Sequence, residues 1–336
     1  MISPYSAHFF SRYINSLTSV ASIVINKAVE VILLINGRDV LLTEKRGHIY
    51  ILTINREERM NALSPELLRR YDEELEIFNE DDDLWVLVLT GAGDRAFCAG
   101  MDLKDFSQGA SPHGPDGRPS ARRREHPAVP TWKPMIAAIN GFALAGGWQL
   151  AQRCDLRVAA ETARIGITEN KWNLAGGFGA EMGVFPTAAI SAEIYLLAEP
   201  ITAQRAYEIG FVNKVVPADE VLGQAISWAE HICTLGQEAV RGHKQLSYYG
   251  RFVPPSELAQ LSKDVFYWMG AGKPGVVVDS TVGSRAFVEN RQPDFSTMFQ
   301  PPRLGCDTCG SVYVVATGRA GGPVTCCGQE VSTASE

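Results

Sequence analysis

Along this chain, short apolar runs repeatedly stop at glycine-rich turns: residues 85–90 (WVLVLT) before Gly91 and Gly93, residues 134–140 (PMIAAIN) before Gly141 to Gly147, and Asp155 to Ala159 ahead of Gly176, Gly177 and Gly179. Apolar runs without alternation suit strands covered on both faces, and a strand, turn, helix rhythm implies an α/β fold with a parallel sheet. The spacing predicts a spiral of short ββα units. Upstream, Val40 to Asn55 reads as a hairpin turning near Arg46 and Gly47. Ser64 then stands as an N-cap before Pro65, opening an amphipathic helix over Leu67 to Phe78 that ends in the acidic run Glu80 to Asp83. From about Thr187 the pattern turns helical, through Ala203–Ile209, Val221–Leu235 and Ser256–Met269.

The 336 residues leave ample room for a core, and 46% hydrophobic with 21% charged residues excludes disordered and collagenous chains. A net charge of −7 gives no general attraction to phosphate backbones or anionic lipid, so no nucleic-acid partner is expected. The one basic run, Arg122 to Arg124 with His126 nearby, reads as a solvated loop or as a contact for phosphate. Val20 to Leu34 is apolar but broken by Asn26, Lys27 and Glu30, too short to span a bilayer, and no membrane association is expected. Residues 1–38 form an N-terminal extension expected to be poorly ordered; its first 29 residues carry Arg12 and Lys27 and no acid, which faintly resembles a transit peptide. Cys98, Cys154 and Cys233 are isolated in apolar surroundings, as buried free thiols are. Their scatter suggests a reducing compartment and a cytoplasmic location, with an organelle as the alternative.

Glycine turns after buried strands leave backbone N–H groups unpaired, and two that converge make a preorganised hole for a developing negative oxygen; glycine also serves tight packing at such turns. Residues 96–104 (AFCAGMDLK) and 133–147 (KPMIAAINGFALAGG) resemble the crotonase, or enoyl-CoA hydratase/isomerase, superfamily. Asn61 to Leu63, Cys154 to Arg157, Glu199 to Ala203 and Arg285 to Glu289 support the resemblance, which covers roughly residues 39 to 297. It implies an acyl-CoA domain over residues 39–300, a helical C-terminal region, a coenzyme A thioester as substrate, and a homotrimer or a hexamer.

The resemblance also implies site residues. The amides of Met101 and Gly146 would hold the thioester oxygen as it becomes an enolate. Family hydratases add two glutamates; the first position is Gln149 here and the second is Glu169. A glutamine amide can orient a water but cannot take its proton near neutral pH, so two-glutamate hydration does not carry over directly. A single carboxyl at Glu169 can still pick up and redeliver one proton, in hydration or in isomerisation. Trp148 and Trp172 flank these positions and read as core packing or as the lining of an acyl pocket. For coenzyme A, Ala99 would back the adenine, with Arg59 and Lys104 as cations and Phe287 reaching in from a neighbouring subunit. Phe287 is followed by Asn290 where the family often has lysine, and Arg291 is a substitute.

Cysteines cluster again at the end of the chain. Cys306, Cys309, Cys326 and Cys327 fall in the last 31 residues, with Gly310 and Gly328 directly after each pair. The pattern resembles the desulforedoxin-like, rubredoxin-type module, implying over residues 301–336 a β knuckle with four thiolates on Zn or Fe. The alternative function is a catalytically silent acyl-CoA binding or assembly subunit whose tail docks a partner or transfers electrons.

Overall fold

The computed structural model describes residues 39–107, 131–174, 187–251, 253–268 and 279–295, with five short strands between 303 and 333. The hairpin forms as β1 (Leu41–Arg46) and β2 (Ile49–Ile54), and Gly47 takes the left-handed φ of 57° that the turn requires. Helix α1 (Pro65–Glu80) starts where Ser64 Oγ accepts the Leu67 N–H at 3.2 Å, and it buries Leu67, Tyr71, Leu75 and Phe78.

Strands β3 (Val86–Gly91), β5 (Met135–Ile139), β7 (Leu156–Ala160) and β10 (Lys214–Val216) extend the hairpin into a six-stranded sheet ordered β1-β2-β3-β5-β7-β10, parallel from β2 onward. The apolar runs behave as their lack of alternation implies: Val86 to Leu89 and Met135 to Ile139 are wholly buried. Helix α6 (Val221–Cys233) packs across β2, β3, β5 and β7.

A second sheet, β4-β6-β8-β9, is made of β4 (Ala96–Cys98), β6 (Phe142–Leu144), β8 (Arg164–Gly166) and β9 (Ile201–Thr202). Each of its first three strands follows a strand of the large sheet, as in a ββα spiral. Short helices α2 (Leu103–Ser107) and α3 (Gly146–Gln152) leave β4 and β6. Then come α4 (Ala188–Leu197), α5 (Ala203–Glu208), α7 (Gln237–Tyr249), α8 (Leu258–Trp268) and α9 (Asp279–Val288).

Buried polar groups tie these layers. Lys133 Nζ donates to the carbonyls of Phe78 and Asp81 at the end of α1, at 2.6 and 2.7 Å, and burial pulls its pKa down to about 8. Asp155 Oδ2 accepts the Met135 N–H and Lys244 Nζ, each at 2.7 Å, so α7 is fastened to the start of β5. Arg157 closes the end of α3 through Ala151 O and Cys154 O and lies 4.9 Å from the Phe211 ring, which stacks on Trp148 at 3.9 Å. Trp148 is fully buried in that stack, so it is core rather than the lining of an acyl pocket. Burial raises the Cys98 and Cys154 thiols to about 12, which keeps them un-ionised near neutral pH.

In the tail, β11 (Arg303–Gly305) pairs with β12 (Val312–Val314) and with β15 (Ser332–Thr333), and β13 (Thr325–Cys326) pairs with β14 (Gln329–Glu330). Residues 1–38, the run Arg122 to Arg124, His126, the cluster Gly176 to Gly179 and the side chains of Cys306, Cys309, Cys326 and Cys327 lie outside the described residues. Among the described residues no group of His, Cys, Asp and Glu is placed to hold a metal, and no helix is long and apolar enough to cross a membrane.

Candidate active site

The two glycine turns meet. Gly100, at φ 93°, sits so close to the second turn that a β-carbon there would lie 2.7 Å from Ala145 Cβ and 3.3 Å from Gly146 N. Gly147 is as tightly placed, since its β-carbon would fall 2.0 Å from Cys98 O. Glycine is required at Gly147 by close approach to the Cys98 backbone, and at Gly100 by its positive φ and the nearby Ala145 Cβ.

The direction of each amide follows from its neighbours. Leu63 N–H donates to Gly100 O at 2.7 Å and Asp102 N–H donates to Leu63 O at 3.0 Å, a parallel bridge between Leu63 and Met101. In a trans peptide the N–H opposes the C=O, so the Met101 N–H points away from Leu63. Gly146 opens α3, where a first-turn N–H has no intrahelical acceptor. Neither amide has an acceptor among the described residues. Gln149 lies one turn further along α3, half-buried.

Glu169 reaches the same neighbourhood from β8. Ala145 N–H donates to Gly166 O at 2.9 Å, and three residues after Gly166 the chain enters a 3-10 turn whose first residue is Glu169. Its Oε2 is buried and has no hydrogen-bond partner among the described residues. Burial pushes its pKa above the ordinary carboxylate value, and the N–H groups of Glu169 and Thr168 offset only part of that shift.

The four catalytic candidates therefore sit on elements the fold joins. Of the coenzyme A candidates, Arg59 and Ala99 are brought together through Met60, whose carbonyl accepts the Ala99 N–H at 3.1 Å, and Lys104 follows in α2; both cations are exposed. Phe287 stands apart on α9, 87% exposed, and Trp172 is 65% exposed.

Residue types alone did not mark four contributors. Asn61, fully buried, donates to Ala92 O and Ala96 O and accepts the Arg56 N–H, fixing the loop before Leu63. Arg56 and Asp102 form an ion pair at 3.0 Å beside the Leu63–Met101 bridge. Ala145 takes φ 56° and ψ −119°, a conformation that suits glycine, and no sequence signal shows it. Ala145→Gly is expected to raise unfolding free energy by about 1 kcal/mol in denaturant titration, the relieved strain exceeding the entropy that glycine adds to the unfolded chain.

The profile of the family described as enoyl-CoA hydratase/isomerase matches residues 44–298. The chain is 35% identical over 264 residues to (E)-benzylidenesuccinyl-CoA hydratase of Thauera aromatica, covering 75% of this chain and 97% of the relative. It is 33% identical to crotonyl-CoA hydratase of Syntrophomonas wolfei, covering 76% and 97%. Among solved structures, enoyl-CoA hydratase EchA1 from Mycobacterium marinum superposes with a TM-score of 0.68 at 33% identity, covering 76% of this chain and 98% of that one.

Proposed function

The chain belongs to the enoyl-CoA hydratase/isomerase family, and from that premise we propose that it adds water across the double bond of a 2-enoyl-CoA with one carboxyl, Glu169, carrying the proton. The observation that supports this most is the close approach of the Gly100 turn to Gly146, which brings together two amides with no acceptor among the described residues, Met101 and Gly146, while Glu169, three residues past the Gly166 carbonyl that accepts the Ala145 N–H, holds a buried carboxylate oxygen with no partner among the described residues. The amides polarise the thioester carbonyl, which makes the β-carbon electrophilic. Gln149 holds the water through its amide, and Glu169 takes one proton as the oxygen bonds to the β-carbon. The same carboxyl then returns that proton to the α-carbon of the enolate, so the net change is addition of one water.

The named activities of the relatives favour hydration, and the range from a crotonyl to a benzylidenesuccinyl group leaves the acyl chain open to both alkyl and aryl forms. Isomerisation is the second reading, favoured by the replacement of a carboxylate by Gln149, since one base suffices to move a proton between α and γ carbons. Incubation with crotonyl-CoA, an aryl 2-enoyl-CoA and a 3-enoyl-CoA, followed by mass spectrometry, separates the two: a product heavier by one water is hydration, and an unchanged mass with a moved double bond is isomerisation. No conversion of any ester that the protein binds would point to the silent acyl-CoA subunit.

Two further assignments belong to this reading. Trp172, Leu196, Leu197, Phe287 and Val288 are each more than 60% exposed, and such large apolar side chains suit contacts between copies in a homotrimer or hexamer. That burial would bring Phe287 to a neighbouring subunit's coenzyme A, with Arg59, Lys104 and Ala99 supplied in the same chain. The tail beyond residue 298 lies outside the family match, and its donor set of four thiols fits a tetrahedral Zn or Fe site on Cys306, Cys309, Cys326 and Cys327. The metal would cross-link a segment too short to build its own core. About one metal ion per chain is expected by elemental analysis, falling to near zero in Cys306→Ser/Cys309→Ser.

A further inference from the structure

The Met101 amide can serve a thioester oxygen only if its peptide plane is held against rotation, and the contacts that hold it converge on one guanidinium. Arg56 lies just after β2, in a loop closed on itself: its N–H donates to Asn61 Oδ1 at 3.0 Å and its carbonyl accepts the Asn61 N–H at 2.9 Å. From there Nη1 donates to Ala62 O, and Nη2 meets Asp102 Oδ2 at 3.0 Å with Asp105 Oδ2 at 3.9 Å. Ala62 precedes Leu63 and Asp102 follows Met101, so the two groups held by Arg56 flank the two residues of the bridge. Asp102 Oδ1 meanwhile accepts the N–H groups of Lys104 and Asp105 at 3.2 and 3.4 Å, anchoring the start of α2. Both side chains of the pair are largely withdrawn from water, at 13% and 7% exposure.

We propose that Arg56 and Asp102 are positioning residues, a clamp that sets the direction of the Met101 N–H by fixing both segments of the Leu63–Met101 bridge. The proposal rests on the reading of the Met101 amide as a thioester oxygen donor and adds the side chains that keep it aimed. Arginine suits the task because its planar fork serves two acceptors on different segments at once, whereas a lysine ammonium is a single point charge. Asp102 is needed as the charge that keeps a nearly buried guanidinium in place. Gly100 itself, at φ 93°, has no side chain to hold the turn, so the restraint must come from its neighbours.

The test uses the full-length protein and butyryl-CoA carrying ¹³C at the thioester carbon, which binds without being consumed. Isotope-edited infrared spectroscopy reads polarisation of the bound carbonyl as a fall in its stretching frequency. In Arg56→Lys and in Asp102→Asn we expect that fall to shrink by half or more, with kcat on the preferred 2-enoyl-CoA reduced about 10- to 100-fold and KM within about threefold of wild type. The double variant should be little worse than either single one, because the two act as a unit. If Asp102→Asn does not fold, Arg56→Lys, which keeps the buried charge, carries the test alone. Variants with a lower Tm but an unchanged carbonyl shift and kcat would overturn the clamp and leave the donor role of Met101 standing. A wild-type protein that binds the ester with no carbonyl shift would overturn the donor reading itself, and the clamp with it.

Discussion

Glu169→Gln is expected to lower turnover of the preferred enoyl-CoA by about a thousandfold while leaving the protein folded and able to bind the ester. The size follows from there being one carboxyl: where the family resemblance places the first of two glutamates this chain has Gln149, whose amide cannot take over the proton. Glutamine is close in shape to the residue it replaces, so the loss reports proton transfer rather than packing. The sign on stability is the opposite of that on activity. Glu169 Oε2 is buried without a partner among the described residues, and burial raises the pKa above the ordinary 4.5. An acid whose pKa is raised in the folded state stabilises the fold below its unfolded pKa and loses that contribution as pH rises through the folded value. The variant escapes that loss, so its Tm should equal or exceed wild type at the higher pH, with the difference growing as pH rises from 4.5 through the raised folded value. The acid limb of kcat in the wild type should correspondingly lie above pH 4.5. A variant that is inactive because it is unfolded would contradict the assignment.

The second large effect concerns the fold beneath the site. Gly147→Ala would place a β-carbon 2.0 Å from Cys98 O and 2.8 Å from Cys98 C, both backbone atoms of β4. Cys98 is fully buried and β4 is paired to β6 through Ala143, so the strand cannot give way. Helix α3 must move instead, taking Gly146 and Gln149 with it. The expected loss of stability is about 3 kcal/mol or more, at the upper end of overpacking effects, and activity should fall with it. Gly223→Ala is the control: this glycine lies on the exposed side of α6, and a β-carbon added there would meet nothing within 4 Å, so alanine should stabilise by about 0.5–1 kcal/mol. Urea unfolding of both variants reads the contrast.

Much of the scaffold was legible because it rests on local chemistry. The Ser64-Pro65 start, the hairpin around Gly47 and the wholly apolar strands from Val86 and Met135 follow from capping, turn residues and hydrophobic runs that need no knowledge of the rest of the chain. The strands of the second sheet were harder to place. Ala96–Cys98, Phe142–Leu144 and Arg164–Gly166 are three residues each, too short for a period to show, and they merge in the sequence with the glycine turns beside them. Trp148 could be read as pocket or core until its stacking on Phe211 appeared, since an aromatic beside a glycine pair carries no signal of which way it faces.

The polar residues of the site divide in the same way. Glu169, Gln149 and the Met101 and Gly146 amides were singled out through motif resemblance. Arg56, Asn61 and Asp102 act through burial and through partners up to 46 residues away, as the Arg56–Asp102 pair shows, and nothing in a loop arginine or aspartate reveals that it will be enclosed.

The central claim is that Glu169 moves a proton at the α-carbon of a thioester held by the Met101 and Gly146 amides. The most direct measurement is deuterium uptake from heavy water into the α-carbon of bound acyl-CoA esters, followed by mass spectrometry in wild type and in Glu169→Gln. The expected result is α-deuteration by the wild type that falls to background in the variant. Exchange that persists undiminished in Glu169→Gln, or no exchange on any ester that the folded protein binds, would contradict it.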